Sequence, residues 1–339
     1  MTRRLQKAPR LFALGALALF LAADGADPND GGPVTALASV LVPAAEGELP
    51  PPSAYDCRSP HPRRASPVPL DCLVRRRCRS TLVVAHRGAG IDSFAPVPGT
   101  FVPVGGFAPE NTLSALRWAT VVGADMAEVD VRLTRDGCLV LLHDRDVART
   151  TMGRGRVERM TLAELRGLKL RTGQFAGDFS CERIPTLREA LALAKGRIGL
   201  YLDLKTHHAD VVARAVRNAG MLDQVLLFSP DPEVLALARS AVPSVAVMPR
   251  ARRQAEIAAL LAPSARPEAV TLWPGLFSRE NMLSLRAAGV KVFTDGMYYD
   301  VMGYLTNDPV AYAPLKFREP DAIQVDRVDL LLRALGRRR

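Results

Sequence analysis

The sequence predicts an α/β protein built as a single (β/α)8 barrel. From residue 81 onward, short apolar runs with strand character recur, and helical patterns lie between most of them. Alternation of this kind over about 250 residues is typical of a parallel sheet, and the single-domain length favours a closed barrel over a doubly wound sheet. The hydrophobic content of 48% and the charged content of 24% are those of an ordinary globular protein.

The predicted strands number nine, which is one more than such a barrel needs. They are residues 81–85, 126–131, 139–142, 198–204, 225–228, 245–248, 269–273, 290–294 and 322–325. Only RLTRDGC separates the second run from the third; this Asp-Gly hairpin is too short for the crossover that joins parallel strands. Either the hairpin distorts the barrel or one run is not a barrel strand, and the sequence leaves both open.

The predicted helices separate most of these strands. They are ENTLSALRWATVVG, TLREALALAKG, HADVVARAVRNAG, DPEVLALARSAV, RRQAEIAALLA and SRENMLSLRAAG. Several end in glycine, as the C-terminus of a helix commonly does.

The first 80 residues carry a different pattern. Four basic residues precede an apolar run from Leu11 to Ala23, which predicts a secretory signal peptide or an uncleaved membrane anchor over residues 1–26. Residues 27–80 are rich in Pro and Arg without a sustained period, which predicts a poorly ordered linker arm. The barrel itself is assigned to residues 81–335. We therefore expect export to the periplasm or beyond, with membrane anchoring as the alternative.

The net charge of +10 lies mostly at the two ends of the chain. Residues 81–329 hold 30 basic and 28 acidic side chains, so the body is nearly neutral. This distribution argues against a nucleic-acid groove and leaves weak attraction to anionic lipid headgroups open.

The five cysteines bear on the redox state of the compartment in which the protein works more than on metal binding. Cys57, Cys72 and Cys78 precede the first strand, and in an oxidising compartment one pair of them is expected to form a disulfide; the alternative is that all are free thiols. The spacing argues against zinc, because it offers no paired Cys-x-x-Cys and no Cys/His ligand set.

Ionisable side chains stand at four predicted strand ends. They are His86 with Arg87, Glu128 with Asp130, His143 with Asp144, and Asp203 with Lys205. Residues two apart on a strand face the same side, and strand ends in barrels converge around one mouth. Three buried carboxylates at one point need a cation to offset their repulsion, and Mg²⁺ or Ca²⁺ prefers oxygen ligands.

Two histidines and two cations beside such a site indicate phosphoryl chemistry. A divalent ion with Arg87 and Lys205 would neutralise charge on a phosphate, while His86 and His143 would transfer protons to and from the reacting oxygens.

Five segments, AHRG, APENTLSAL, AEVDVRLTRDGCLVLLHD, IPTLREAL and LYLDLK, together resemble the glycerophosphodiester phosphodiesterase family over roughly residues 81–335. The resemblance implies a (β/α)8 barrel related to phosphatidylinositol phospholipase C. It also implies hydrolysis of glycerophosphodiesters to an alcohol and glycerol 3-phosphate with one divalent cation, Ca²⁺ or Mg²⁺.

The same resemblance implies residue roles. It implies His86 and His143 as the general acid/base pair, Arg87 as a phosphate contact, and Glu128, Asp130 and Asp203 as metal ligands, with Lys205 beside them. Glu110 and Asn111 match residues that open the first helix, where they either cap that helix or contact the substrate. Trp273 either walls the pocket or packs in the core.

The chain departs from the family pattern at three places. Asp203 stands where most members have glutamate, one methylene longer. The segment between HRG and PENT is long and rich in Gly and Pro, which predicts a lid or a pocket wall. VFTDGMYYD replaces a strand end that is usually Trp-Thr-x-Asn. Two alternatives to the phosphodiesterase remain: a phospholipase D- or C-like enzyme acting on intact phospholipids, and a catalytically silent barrel that binds phospho-ligands.

Overall fold

The described part of the chain forms a closed barrel of parallel strands with helices packed on its outer face. The computed structural model describes residues 49–74, 77–90, 93–97, 100–104, 106–262, 266–316 and 318–337, with the backbone alone at 93–97, 100–104 and 316. The predicted signal or anchor, residues 1–26, lies outside this description. No helix among the described residues combines the length and the apolar character needed to cross a bilayer.

The parallel strands follow one another around the barrel in chain order. They are β1 (Leu82–Ala85), β4 (Met126–Leu133), β6 (Gly199–Leu204), β7 (Val225–Phe228), β8 (Ala246–Met248), β9 (Arg250–Ala251), β10 (Ala269–Leu272), β11 (Lys291–Asp295) and β12 (Ala322–Val325). β12 pairs with β1, so the sheet has no open edge there. The predicted (β/α)8 barrel is confirmed.

β8 and β9 together occupy one position in the barrel. β8 pairs with β7 and β9 pairs with β10, and only Pro249 separates them. Because proline has no N–H to give to a ladder, it interrupts the strand at this point. Counted this way, the described barrel has eight strand positions.

The ninth predicted strand is not part of the barrel wall. β5 (Leu139–Leu141) pairs antiparallel with the end of β4 and lies off the path of the barrel. The chain reverses through Asp136 and Gly137, whose φ of 78° suits glycine. Of the two readings left open by the sequence, the second is therefore correct.

The six helical patterns quoted from the sequence form helices, and the described chain contains four further α-helices that the sequence analysis did not list. They are α1 (Leu113–Val122), α2 (Leu162–Gly167), α3 (Leu187–Ala194), α4 (Ala209–Asn218), α5 (Pro232–Ala241), α6 (Gln254–Leu260), α7 (Arg279–Ala287), α8 (Met297–Thr306), α9 (Ala313–Lys316) and α10 (Val328–Ala334). Between β1 and α1 the chain also forms an antiparallel hairpin of β2 (Ser93–Val97) and β3 (Thr100–Val104), inside the segment predicted as a lid or pocket wall.

Helix starts are fixed by local side chains. At α3, Thr186 accepts from the backbone N–H of Glu189, and the Glu189 carboxylate accepts from the N–H of Thr186. This capping box satisfies N–H groups that the first turn leaves unpaired.

Residues that alternate along the strands fill the barrel interior. One cluster contains Leu82 and Val84 of β1, Met126 of β4, Tyr201 of β6, Phe228 of β7, Met248 of β8 and Phe293 of β11. The intervening residues pack outward against the helices. The next inward positions toward the carboxyl ends of the strands therefore open into the mouth.

Residues 68–74 close the opposite end of the barrel. Leu73 is fully buried in the interior cluster, and the Nζ of Lys291 donates to the carbonyls of Cys72 and Leu73 at 2.6 and 2.8 Å. Gly199 makes room for this segment, because a Cβ there would lie 2.8 Å from the Leu73 side chain. The prediction of a poorly ordered arm is wrong for residues 68–74, since their apolar side chains have the barrel end to fill.

The cysteines form two disulfides among the described residues. Cys72 pairs with Cys78, as predicted for two of the first three cysteines, whereas Cys57 pairs with Cys181 across 124 positions of sequence. The alternative in which all are free is wrong, and Cys138 alone of the five is unpaired.

Candidate active site

The mouth of the barrel collects the inward-facing side chains that follow the interior cluster on each strand. His86 follows β1, Glu128 and Asp130 belong to β4, and Asp203 ends β6. β4 and β6 pair with Asp130 opposite Asp203, which places these two acids side by side. The sequence prediction that these strand ends converge is confirmed.

The three carboxylates form a cluster that has the composition of a metal site. Each of Glu128, Asp130 and Asp203 offers an oxygen, and these three atoms lie within 4.8 Å of one another. The N–H of Arg87 donates to Glu128 Oε2 at 2.8 Å, and Asn111 Nδ2 donates to Asp130 Oδ2 at 2.8 Å. Glu128 and Asp130 are thereby each held in place by a neighbour, and the three oxygens are close enough together to bind one ion.

Burial makes this cluster electrostatically costly without a cation. Burial, reinforced by the charge of Asp130, raises the pKa of Glu128 to about 8. Burial also raises the pKa of Asp203. At Asp130, burial acts in the same direction, but Arg87 and Lys205 outweigh it and lower the pKa. Hard oxygen donors crowded so closely that one resists ionisation fit a bound Mg²⁺ or Ca²⁺.

Lys205 lies against the acids on the β6 side. Its Nζ donates to Asp203 Oδ2 at 2.9 Å and lies 3.4 Å from Asp130 Oδ1. These contacts raise the pKa of Lys205 against the opposing effect of its burial. The ammonium group therefore stays charged beside the cluster.

His86 points its ring into the mouth and is held from behind by a carboxylate. Its Nδ1 lies 2.7 Å from Asp326 Oδ1, and its Nε2 lies 3.9 Å from Glu128 Oε2. Because a carboxylate accepts, Nδ1 carries the hydrogen in that bond, and Nε2 is the nitrogen left for proton exchange. Burial lowers the pKa of His86, but the charge and hydrogen bond of Asp326, with Glu128, raise it to about 9 overall.

His143 reaches the mouth from the hairpin strand rather than from the barrel wall. The N–H of Leu142 donates to the carbonyl of Asp130 at 3.1 Å, and Arg132 Nε donates to the carbonyl of His143 at 3.0 Å. His143 Nδ1 lies 2.7 Å from Asp144 Oδ1. Both histidines thus present a free Nε2 backed by a carboxylate on Nδ1.

Arg149 links the two halves of this arrangement. Its Nε donates to Asp144 Oδ2 at 2.5 Å, and its two terminal nitrogens donate to both oxygens of Glu110 at 2.8 and 2.6 Å. Glu110 Oε1 also accepts from Arg87 Nη1 at 2.8 Å. Glu110 is therefore a buried anion between two arginines, and it fixes the guanidinium of Arg87 beside Asp130.

Glu110 and Asn111 do not cap the first helix. The N-cap of α1 is Thr112, whose hydroxyl accepts from the N–H of Ala115. Asn111 instead exchanges two hydrogen bonds with Asp130, accepting from its backbone N–H at 2.9 Å and donating to its carboxylate. The capping alternative is wrong because both side chains turn toward the mouth.

The chain adopts a tight turn directly after His86. Arg87 has a φ of 49° and Gly88 a φ of 84°, and a Cβ on Gly88 would lie 2.8 Å from the Cβ of Ala115. Only glycine fits that approach to α1. The turn aims the backbone N–H of Arg87 at Glu128.

Trp273 is the one predicted site residue that the structure does not bring into the cluster. It follows β10, on the other side of the mouth from the acids, and is 48% exposed. The core-packing alternative is wrong, since a core tryptophan would be covered. His207 and His208, at the start of α4, are exposed.

Two residues of the site escaped the sequence prediction. Asp326 stands after the last strand, at the same inward two-residue spacing that selected Glu128 and Asp130, so the pattern could have found it. Arg149 lies in an irregular segment between β5 and α2, where no periodicity marks its direction.

Comparison with known proteins identifies one family. The model of the glycerophosphoryl diester phosphodiesterase family matches residues 86–330. A putative glycerophosphodiester phosphodiesterase of Bacillus subtilis is 42% identical over 130 residues, which cover 38% of this chain and 46% of that protein. Glycerophosphodiester phosphodiesterase 1 of Rattus norvegicus is 38% identical over 140 residues, which cover 41% of this chain and 38% of that protein. These matches thus span less than half the length of either relative.

Solved structures match over a larger share. The glycerophosphodiester phosphodiesterase of Agrobacterium tumefaciens superposes with a TM-score of 0.58 at 29% identity, covering 74% of this chain and 98% of that one. A phosphodiesterase of Oleispira antarctica, solved in complex with its product sn-glycerol-3-phosphate, gives a TM-score of 0.59 at 26% identity, covering 76% and 97%.

Proposed function

This chain belongs to the glycerophosphoryl diester phosphodiesterase family, and from that premise we propose that it hydrolyses glycerophosphodiesters to an alcohol and glycerol 3-phosphate. The observation that carries the proposal is the mouth of the barrel, where three converging carboxylates lie between two histidines whose Nδ1 atoms are each held by a carboxylate. The product in the Oleispira antarctica complex is the one this reaction releases.

A divalent cation, Ca²⁺ or Mg²⁺, is part of the proposal. Glu128, Asp130 and Asp203 would hold it. Burial raises the pKa of Glu128 and of Asp203, and a bound cation would stabilise both in their ionised form. When bound, it supplies a positive charge that neutralises the phosphoryl oxygens. Asp203 is shorter than the glutamate usual in the family, and its contact with Lys205 holds it close to Asp130.

The two histidines act as the proton-transfer pair. His86 Nε2 lies 3.9 Å from Glu128 Oε2, and His143 comes directly after Leu142, whose N–H donates to the carbonyl of Asp130, so both rings stand beside the carboxylates where a phosphoryl group would bind. One ring takes a proton from the attacking oxygen and the other gives a proton to the leaving oxygen. Asp326 and Asp144 keep each ring in the tautomer that this exchange requires.

Positive charge beside the cluster binds and orients the phosphoryl group. Lys205 and Arg87 lie on either side of Asp130, and Glu110 with Arg149 prevents the Arg87 guanidinium from turning away. The phosphoryl group is thus fixed between the two rings before any proton moves.

Export is the location that the disulfides support. Two disulfides join cysteines of the described chain, and such bonds persist in oxidising compartments. We retain membrane anchoring through residues 1–26 as the alternative; sizing the mature protein from the periplasmic and membrane fractions by mass spectrometry separates the two.

The experiment that tests the function is a substrate panel. Purified protein is incubated with glycerophosphocholine, glycerophosphoethanolamine and phosphatidylcholine, with Mg²⁺, with Ca²⁺ or with a chelator, and release of glycerol 3-phosphate is measured by a coupled assay. We expect release from the two deacylated diesters only in the presence of cation, and a loss of at least about 10²-fold in His143→Ala. Preference for phosphatidylcholine would instead identify a phospholipase. Binding without turnover would identify a silent barrel.

A further inference from the structure

A basic cavity lies on the side of the mouth away from the acids. It encloses about 360 Å³ and is lined by Pro230, Arg250, Arg252, Arg253 and Glu256. These residues follow β7 and form or follow β9, two neighbouring strands of the barrel. The function proposed above does not use this cavity.

Strand register places the cavity within reach of a substrate held at the carboxylate cluster. Asp203 is paired with Phe228, and Phe228 is paired with Met248. Two residues further along these three strands stand Lys205, Pro230 and Arg250. Since neighbouring strands are about 4.8 Å apart, the backbone of Arg250 is separated from the β6 strand that carries Asp203 by about 10 Å. A phosphodiester whose phosphoryl group lies at the cluster can span that distance with its alcohol.

Arg250 is held in position but has no anionic partner. Its guanidinium carbon lies 5.0 Å above the ring of Phe228, a buried side chain at the end of β7. Within the described chain its guanidinium makes no hydrogen bond and has no carboxylate within ion-pair distance. Burial raises the pKa of Asp295 on β11, and the charge of Arg250 opposes that rise, but the two residues form no ion pair among the described residues. A half-buried guanidinium without an ion-pair or hydrogen-bond partner in the described chain can bind an anion with all of its N–H groups.

The acid in the cavity wall does not neutralise it. Glu256 pairs with Arg253, 2.7 Å apart, and its other oxygen accepts from the backbone N–H of Arg252 at 2.6 Å. These bonds fix the start of α6 and leave the guanidiniums of Arg250 and Arg252 unpaired among the described residues. The cavity therefore keeps a net positive charge, whereas the mouth around β4 and β6 is acidic.

We propose that this cavity is a second anion subsite, in which Arg250 and Arg252 bind a phosphate or carboxylate carried by the alcohol of the diester. The substrate class is then a glycerophosphodiester with an anionic alcohol, and a phosphorylated polyol is the member that the paired guanidiniums fit best, because each fork can donate two hydrogen bonds to a phosphate. Trp273, which follows β10 and donates its backbone N–H to the carbonyl of Ala251 at 2.9 Å, is exposed beside the subsite and offers apolar surface to the polyol ring. The inference rests on the proposed hydrolase function and specifies its substrate.

A matched substrate pair tests the subsite. Glycerophosphoinositol and glycerophosphoinositol 4-phosphate differ by one phosphate, and glycerol 3-phosphate release gives kcat/KM for each. We expect the phosphorylated diester to be preferred by at least tenfold, and the ratio of the two kcat/KM values to fall about tenfold in Arg250→Gln and in Arg252→Gln. Arg252 is exposed, so its variant keeps the test valid if Arg250→Gln fails to fold. Glycerophosphoserine in place of the inositol pair separates a carboxylate from a phosphate.

Controls separate this subsite from general electrostatics. Arg217 is an exposed arginine at the C-terminal end of α4, at the closed end of the barrel, and Arg217→Gln should leave both kcat/KM values and their ratio unchanged. Arg250→Lys should restore part of the ratio, since it keeps the charge and loses the fork. Equal kcat/KM for the two diesters in the unmodified protein, or a preference that survives both glutamine variants, would overturn the subsite while leaving the hydrolase function standing. No hydrolysis of either diester would overturn both.

Discussion

Asp326→Asn is the substitution that most directly tests how the site holds its histidine. Asp326 touches His86 through one oxygen, while its backbone N–H is fixed separately by Asp300 Oδ2 at 2.7 Å. The substitution therefore removes the carboxylate without releasing the chain. An asparagine can present its amide NH₂ to Nδ1, which moves the ring hydrogen to Nε2 and takes away the nitrogen that exchanges protons.

The expected loss can be bounded from that contact. A hydrogen bond to a charged group contributes about 1.5–3 kcal/mol, which corresponds to a roughly 10- to 150-fold decrease in kcat. The upper bound is near 10⁴-fold, the loss caused when Asp→Asn reverses the tautomer of a catalytic histidine in the Ser-His-Asp triad. KM for glycerophosphocholine should change little, because Asp326 lies behind the ring.

Two measurements decide the outcome. Steady-state kinetics gives kcat and KM, and ¹⁵N–¹H correlation spectra of the imidazoles report which ring nitrogen of His86 carries the hydrogen. At a pH above 9, where the His86 ring of the unmodified protein is neutral, we expect Nδ1–H in that protein and Nε2–H in Asp326→Asn. A variant that keeps more than a third of the original kcat, or one that loses kcat with the Nδ1–H signal unchanged, would refute the assignment of Asp326 as the positioning residue.

The remaining predictions concern the cation, the closed end of the barrel and the disulfides. Asp203→Asn should weaken binding of Mg²⁺ or Ca²⁺ at least tenfold by calorimetry, because one of three ligand carboxylates is lost; unchanged affinity would exclude Asp203 as a ligand. Burial lowers the pKa of Lys291 to about 7, so between pH 7 and 10.5 the unfolded chain binds a proton that the folded chain does not, and the free energy of unfolding rises with pH. Relative to Lys291→Met, the unmodified protein should gain up to about 2 kcal/mol from pH 7.0 to 9.0 in urea titrations, and parallel pH curves would contradict this. Removing the Cys57–Cys181 disulfide, which closes a loop of 124 positions, should lower the free energy of unfolding by about 5 kcal/mol, whereas removing Cys72–Cys78 should lower it by about 2 kcal/mol. Denaturation of the paired Cys→Ser variants measures both losses. Equal losses would point to residual structure in the unfolded state.

The barrel was predictable because its strands are buried on both faces, so their apolar runs stand out against the polar helices. The acids were predictable for the converse reason, since Glu128 and Asp130 interrupt such a run at the spacing that turns both to the mouth. The closure of the far end was not predictable. Residues 68–74 carry no periodicity, and they are ordered by the cavity they fill and by Lys291, whose position opposite them depends on the finished barrel.

The basic cavity beside β9 could not be predicted from the sequence either. Arg250 follows a proline that interrupts the strand, so a period of two cannot be carried from Met248 to Arg250 on sequence alone. Only the pairing of β9 with β10 shows that the chain resumes its place in the barrel after Pro249.

His143 shows how a correct prediction of position can follow from an incomplete argument. The sequence reasoning placed it at the mouth as the end of a barrel strand, yet β5 is not in the barrel wall. It reaches the mouth because β4 extends two residues beyond its pairing with β6, and the Asp-Gly turn folds β5 back along that extension. The hairpin returns the chain toward the cluster, so Leu142 bonds to the backbone of Asp130 and the next side chain faces the acids. The hairpin that keeps β5 out of the barrel wall is therefore also what places His143 beside the acids. Lengthening the hairpin turn by a single residue would shift the register of β5 against β4 and turn His143 away from Asp130.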